Sequence, residues 1–217
     1  MKLLLLLFIL TNITSVNLCA DISNIKHLST KEKKQRFIKI ILPIVEKIHN
    51  ELMGKYTNIE RNIKESKELY KTELLMQEYK VDCEKELLIA LKPHPKSITL
   101  AQAAIESAWA TSRFFIEANN VFGMWSSNKN EPRIAALQKR GNSTIWLKKF
   151  DSIEDSIRAY YKLLATKKAY KEFRELRMRT DDVFLLASKL NNYCELGSEY
   201  CSSIQSVIIY NKFAKYD

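Results

Sequence analysis

Chain breakers are scarce: only four glycines and four prolines punctuate 217 residues, so the backbone has few forced stops and long helical runs dominate. From Lys31 to about Gly54, Phe37, Ile38, Ile41, Ile44, Val45, Ile48 and Leu52 recur at helical spacing between charged residues. Pro43 falls inside this pattern and is expected to kink or divide it. A second amphipathic stretch covers Tyr56 to Leu91 and stops at Lys92-Pro93-His94-Pro95. Ser97 is expected to N-cap the next helix, which carries AQAAIESAWA at 101–110. Residues 117–133 form a connector with turn chemistry at Asn119, Asn120 and Gly123, and RIAALQKRGNSTIWLKKF predicts the chain's one β-hairpin, turning at Arg140-Gly141-Asn142. Ser152-Ile153-Glu154-Asp155 has a capping-box pattern, Thr180-Asp181-Asp182 caps another helix, and a last helix begins near Gly197. The expected class is mainly α (α+β), a helical protein with one small β lobe.

The first 20 residues, MKLLLLLFILTNITSVNLCA, place Lys2 before an apolar run and end on small or polar residues, the layout of a secretory signal. The apolar block Leu3–Leu10 is too short to span a bilayer. Cleavage after Ala20 is the preferred reading and a lipid anchor at Cys19 its rival; either implies a secreted or periplasmic protein with no stable membrane insertion through this segment. The expected organisation is then residues 1–20 as signal, 21–92 as an N-terminal helical region and 93–217 as the catalytic part. Lys2 is the only charged residue removed, so the exported chain keeps a formal charge of +9. Such a surface concentrates polyanions, and outside the cytoplasm these are wall glycans and membrane surfaces; export and the dispersal of the lysines argue against nucleic acid. Of the three remaining cysteines, Cys194 and Cys201 are expected to pair, closing a short loop in an oxidising compartment, with Cys83 left over. His27, His49 and His94 are isolated and read as surface residues; no cluster has metal-ligand spacing, and no cofactor is expected.

Glu106 sits among alanines. On a helix its neighbours are Thr99, Gln102, Ala103, Trp109, Ala110 and Arg113, while Ile98, Ala101, Ile105 and Ala108 form the opposite, apolar stripe. Small neighbours let a ligand approach the helix closely. The connector then supplies Phe114, Phe115, Phe122 and Trp125. Aromatic faces stack on sugars, and a glutamate in an apolar pocket holds its proton to higher pH, as a general acid requires.

The runs LAQAAIESAWATSRFFIEANNVFGMW and FDSIEDSIRAYYKLL resemble the bacterial glucosaminidase domain of glycoside hydrolase family 73, and within it the Bax-type branch. KKQRFIKIILPIVEKIHNELM and LASKLNNYCELGSEYCSSIQSVI are similar to that branch too, so the resemblance spans nearly all of the exported chain. It implies an endo-β-N-acetylglucosaminidase acting on peptidoglycan glycan strands, with a lysozyme-like helical lobe facing a β-hairpin lobe across a groove. By position, Glu106 matches the family's catalytic acid and Tyr160 its active-site tyrosine. Asn120, Phe122 and Gly123 match the groove-floor motif, Trp125 the tryptophan that follows it, and Gln102 flanks the groove. Ala110 stands where relatives usually have glycine and is expected to narrow the groove.

A second carboxylate normally completes such a site. The hairpin, where many relatives hold one, contains no Asp or Glu; Glu117 and Glu131 are the nearby candidates. Without them, the substrate's own 2-acetamido group is the expected nucleophile, with Tyr160 positioning it or the attacking water. A lysozyme-type muramidase, a lytic transglycosylase and a non-catalytic wall-binding protein remain open.

Overall fold

The computed structural model describes residues 27–141 and 143–217; the expected signal segment lies outside them. Helix α1, Thr30–Lys64, begins in a full capping box in which Ser29 and Glu32 satisfy each other's backbone N–H groups. Contrary to expectation it runs unbroken through Pro43. Phe37, Ile41, Val45 and Ile48 straddle the proline on one face, and all four are wholly buried. At about 1.5–3 kcal/mol per buried side chain, that face outweighs the roughly 3 kcal/mol cost of an interior proline.

The predicted second amphipathic stretch is divided among the end of α1, α2 (Leu69–Tyr79) and α3 (Glu84–Leu91). The breaks occur without glycine or proline, at Ser66, Glu68 and Lys80 in left-handed conformations. Helix α4, Lys96–Glu106, is capped differently from the expectation: Pro95 holds the N-cap position and Ser97 lies inside the first turn. The Ser97 backbone N–H donates instead to the Asp217 carboxylate at 2.8 Å, bringing an acid to the positive end of the helix.

Downstream lie α5 (Arg113–Ala118), the antiparallel strands β1 (Arg133–Arg140) and β2 (Ser143–Lys148), and α6 (Ile153–Thr166). Two short helices follow, α7 (Lys171–Arg177) and α8 (Val183–Ala187), and α9 (Ser198–Asn211) is the last long one. The hairpin register shifts between Ala135 and Lys139, a bulge that bends its outer half. Its base is pinned by Asn120, whose amide donates to Met124 O and Lys148 O while its oxygen accepts from Met124 N. The molecule is thus a helical lobe with a small β-hairpin lobe.

One core joins α1 to α4, α6, α8 and α9, so residues on both sides of 92/93 pack together. A smaller cluster of Ile59, Tyr79, Leu87, Ala90, Leu91 and Ala165 ties the middle helices to α6. Cys83, Cys194 and Cys201 are all free thiols, which corrects the expected Cys194–Cys201 pair. Cys201 is buried on α9 with its Sγ donating to the Ser188 carbonyl, 3.7 Å away. Among the described residues, no helix is long and apolar enough to cross a membrane.

Candidate active site

Glu106 is the final residue of α4. Immediately after it the chain makes a left-handed turn in which Ala108, Trp109 and Ala110 have φ of 50°, 61° and 61°. Each left-handed alanine or tryptophan costs about 1–2 kcal/mol, and local bonds hold the turn. Trp109 N donates to Ala104 O, Ser107 Oγ to Ala103 O, and Ala110 N back to Ser107 Oγ. From α1, Arg36 donates to Ala110 O at 3.2 Å. Trp109 is drawn away from the glutamate onto Phe37, with ring centroids 5.3 Å apart. Ala110 is fully buried, so its methyl group packs in the core and does not narrow a groove.

The Glu106 carboxylate is part-buried, and desolvation raises its pKa, offset in part by one hydrogen bond from Tyr200. Tyr200 Oη donates to Oε1 at 2.7 Å. Gly123, at φ 61°, lies on the other oxygen's side; a Cβ there would stand 3.7 Å from Oε2. Its missing side chain keeps that oxygen open. Behind Tyr200 runs a buried relay in which Gln102 Nε2 donates to Tyr200 Oη and Tyr160 Oη donates to Gln102 Oε1. His94 Nε2 lies 2.8 Å from Thr99 Oγ1 and 3.2 Å from Tyr160 Oη, and Thr99 donates to Tyr161 Oη. His94 is buried and held neutral by desolvation; it is part of the core, not the surface residue expected from its isolation in the sequence. Tyr193 stacks on Tyr200, centroids 5.4 Å apart and nearly parallel, fixing the phenol that meets the acid.

Comparison with known proteins gives these parts a context. The sequence profile described as "Glucosaminidase: Mannosyl-glycoprotein endo-beta-N-acetylglucosaminidase" matches residues 85–213, more than half of the chain. The chain belongs to the glucosaminidase family. This glucosaminidase is accordingly a glycoside hydrolase. It is 27% identical over 194 residues to "Protein bax" of Escherichia coli strain K12, covering 81% of this chain and 68% of that protein. Its fold is similar to the catalytic domain of the autolysin Auto from Listeria monocytogenes, with a TM-score of 0.52 at 18% identity over 94% of this chain and 98% of that one. A structure titled N-acetylmuramoyl-L-alanine amidase, from Staphylococcus aureus, is similar with a TM-score of 0.53 at 16% identity; the match covers 88% of this chain and 44% of that one.

Within the glucosaminidase, the residues singled out from sequence separate into two groups. Glu106 and Gly123 meet at the carboxylate, and Trp125 stands exposed at the base of the hairpin, bridged to Leu147. Gln102, Asn120, Phe122 and Tyr160 are buried, their polar atoms or faces already engaged. Tyr160 lies flat against Phe122, centroids 3.9 Å apart, and its hydroxyl is turned to Gln102. Wholly buried, it supports Gln102; the tyrosine at the carboxylate is Tyr200. Sequence reasoning missed Tyr200 and Tyr193 because they lie in the loop and helix ending the chain, with no spacing that links them to Glu106. Glu117 is paired with Arg113 at 3.0 Å, and Glu131 with Lys148 at 3.1 Å.

Proposed function

We propose that this enzyme cleaves β-1,4 bonds next to N-acetylglucosamine in peptidoglycan glycan strands, outside the cytoplasm, with Glu106 as the general acid. The observation that carries this is the Glu106 carboxylate itself: part-buried, raised in pKa by desolvation, hydrogen-bonded on one oxygen by Tyr200 and open on the other beside Gly123. Protonated Glu106 gives its proton to the bridging oxygen as the bond from the anomeric carbon breaks. Tyr200 then donates to the carboxylate left behind, and Gln102, held by Tyr160, keeps Tyr200 in place. Trp125 offers an exposed aromatic face to a sugar ring. Similarity in fold to an autolysin and to an amidase fits a wall polymer as substrate, as do the signal-like first 20 residues.

Glu117 and Glu131 are already committed to cations, which favours the substrate's acetamido oxygen as the nucleophile. It would attack the anomeric carbon to form a cyclic oxazolinium ion; water then opens the ring, giving its proton to the Glu106 carboxylate. Digestion of purified sacculi tests the main reading. The wild type should release fragments with reducing-end N-acetylglucosamine, and Glu106→Gln should lower the rate by at least about 10²-fold, the lower end for a positioned general acid. Undiminished digestion by a folded Glu106→Gln enzyme would sink the assignment. Anhydromuramic or reducing muramic ends would instead identify a transglycosylase or a muramidase. Inhibition by a thiazoline analogue of N-acetylglucosamine would support participation of the acetamido group.

A further inference from the structure

A second feature lies away from Glu106, where α1, α2, α3, α6 and α7 meet. A cavity of about 270 Å³ opens there, lined by Leu52, Leu91, Lys92, Tyr161, Lys162 and Arg177, among others. Arg177 is 2% exposed. Its Nη2 donates to Ile89 O at 2.8 Å, but its Nε has no hydrogen-bond partner. A buried guanidinium ordinarily sits against a carboxylate that repays its lost hydration, and among the described residues none is paired with this one. The acids nearby are committed elsewhere: Glu78 to Lys162 at 2.7 Å and Lys55 at 3.9 Å, and Asp181 lies 3.7 Å from Lys92. Lys92 Nζ also donates to the Arg177 carbonyl, which brings a second cation to the same wall. Burial together with the neighbouring Arg174 pulls the Arg177 pKa down to about 9. Besides the Ile89 carbonyl, the guanidinium lies over the Phe173 ring at 5.7 Å, so its neighbours among the described residues are a carbonyl and an aromatic face rather than a carboxylate.

We propose that this cavity is a second binding site, separate from the Glu106 site, that takes a small oxyanion, a carboxylate or a phosphate group, on the Arg177 guanidinium with Lys92 alongside. The planar fork of an arginine matches both groups with two parallel N–H donors. Leu52, Leu91 and the Tyr161 ring supply an apolar wall for the body that carries the charge. An adjoining cavity of about 420 Å³ shares Tyr79, Ala90 and Ala165 with it and sets Lys80, Lys85, Lys168, Lys171 and Arg174 against Glu86 and Glu175, a net positive lining. Two chemical sources present such groups at a cell wall: peptide C-termini and phosphate-bearing polymers. The cavity also borders the buried relay, because Tyr161 lines it and accepts from Thr99.

Binding to the full chain is measured by thermal shift and by NMR titration at constant ionic strength, with acetate, N-acetyl-alanyl-alanine and inorganic phosphate as probes and chloride as control. A saturable rise in Tm over chloride, with amide shifts centred on residues 88–92 and 173–178, is the expected result. The stronger probe identifies the source: the dipeptide for a peptide carboxylate, phosphate for a phosphorylated polymer. Arg177→Met should abolish the response, Lys92→Met should weaken affinity about tenfold, and Glu106→Gln should leave it intact. Should Arg177→Met fail to fold, Lys92→Met and Arg177→Lys carry the same test. The proposal is overturned by the absence of any saturable response over chloride, or by a response that is unchanged in Lys92→Met and in whichever Arg177 variant folds. Because the readout is binding, it fails or succeeds independently of glycan cleavage.

Discussion

At the scale of single residues, the proposed chemistry depends on a glutamate whose proton is held above its ordinary range. Desolvation is the larger cause, and the position of Glu106 at the last residue of α4 adds to it. The negative end of a helix disfavours a nearby anion by about 0.3–1 kcal/mol. The sign of the stability effect follows directly. A carboxyl group with a raised folded-state pKa favours folding fully below its unfolded pKa, and that contribution is lost as pH rises through the folded value. Glu106→Gln should therefore unfold at a higher temperature than the wild type at pH 7, with the gap closing at pH values below the normal glutamate range; calorimetry at two pH values reads this. The alkaline limb of hydrolysis should likewise lie above that of an exposed glutamate. Tyr200→Phe removes the donor to Oε1 and should move that limb further up while lowering kcat; an unmoved pH profile would argue that the phenol does not govern the acid. Ala108 offers a separate test because it is exposed with φ 50°. Replacing it by glycine relieves the left-handed cost of about 1–2 kcal/mol and gives back about 0.5–1 in chain entropy, so a net gain of roughly 0.5–1 kcal/mol should appear in denaturant melts.

At the scale of elements, helical periodicity found α1 and α6 because each buries one face; α4 is buried on every side from Ser97 to Ala104, and the hairpin was legible from its turn between two extended runs rather than from a buried face. Periodicity failed where ends are fixed from far away. Ser97 has the chemistry of a cap, but the partner of its N–H is Asp217, 120 positions downstream, and no local pattern encodes that. Asp217→Ala should cost about 1 kcal/mol, as for other lost caps, measured as a shift in the midpoint of urea unfolding. The stop after Glu106 was invisible for a related reason: Ala108 and Ala110 are good helix formers, and only Arg36, Ser107 and the seat for Trp109 on Phe37 force the left-handed turn. Extending the helix on paper put Trp109 and Arg113 beside the acid. Glu106 and Gly123 were legible because a small-residue face and a positive-φ glycine are local signals. Tyr200 was not, being brought in by the packing of α9 against α4.

At the scale of the whole molecule, α1 belongs to the catalytic fold. Phe37, Ile41, Val45 and Ile48 share one core with Tyr160, Phe122 and Ile204. At about 1.5–3 kcal/mol each, those four side chains amount to much of the 5–15 kcal/mol that holds a domain folded. A fragment of residues 85–213 should thus lack dispersed NMR signals and a cooperative melt, whereas residues 27–217 should show both. The Arg36 contact to Ala110 gives this dependence a particular address. A segment seventy residues upstream braces the bend that fixes the acid in place, so a proteolytic nick early in α1 would silence hydrolysis from a distance while leaving every group around Glu106 chemically whole.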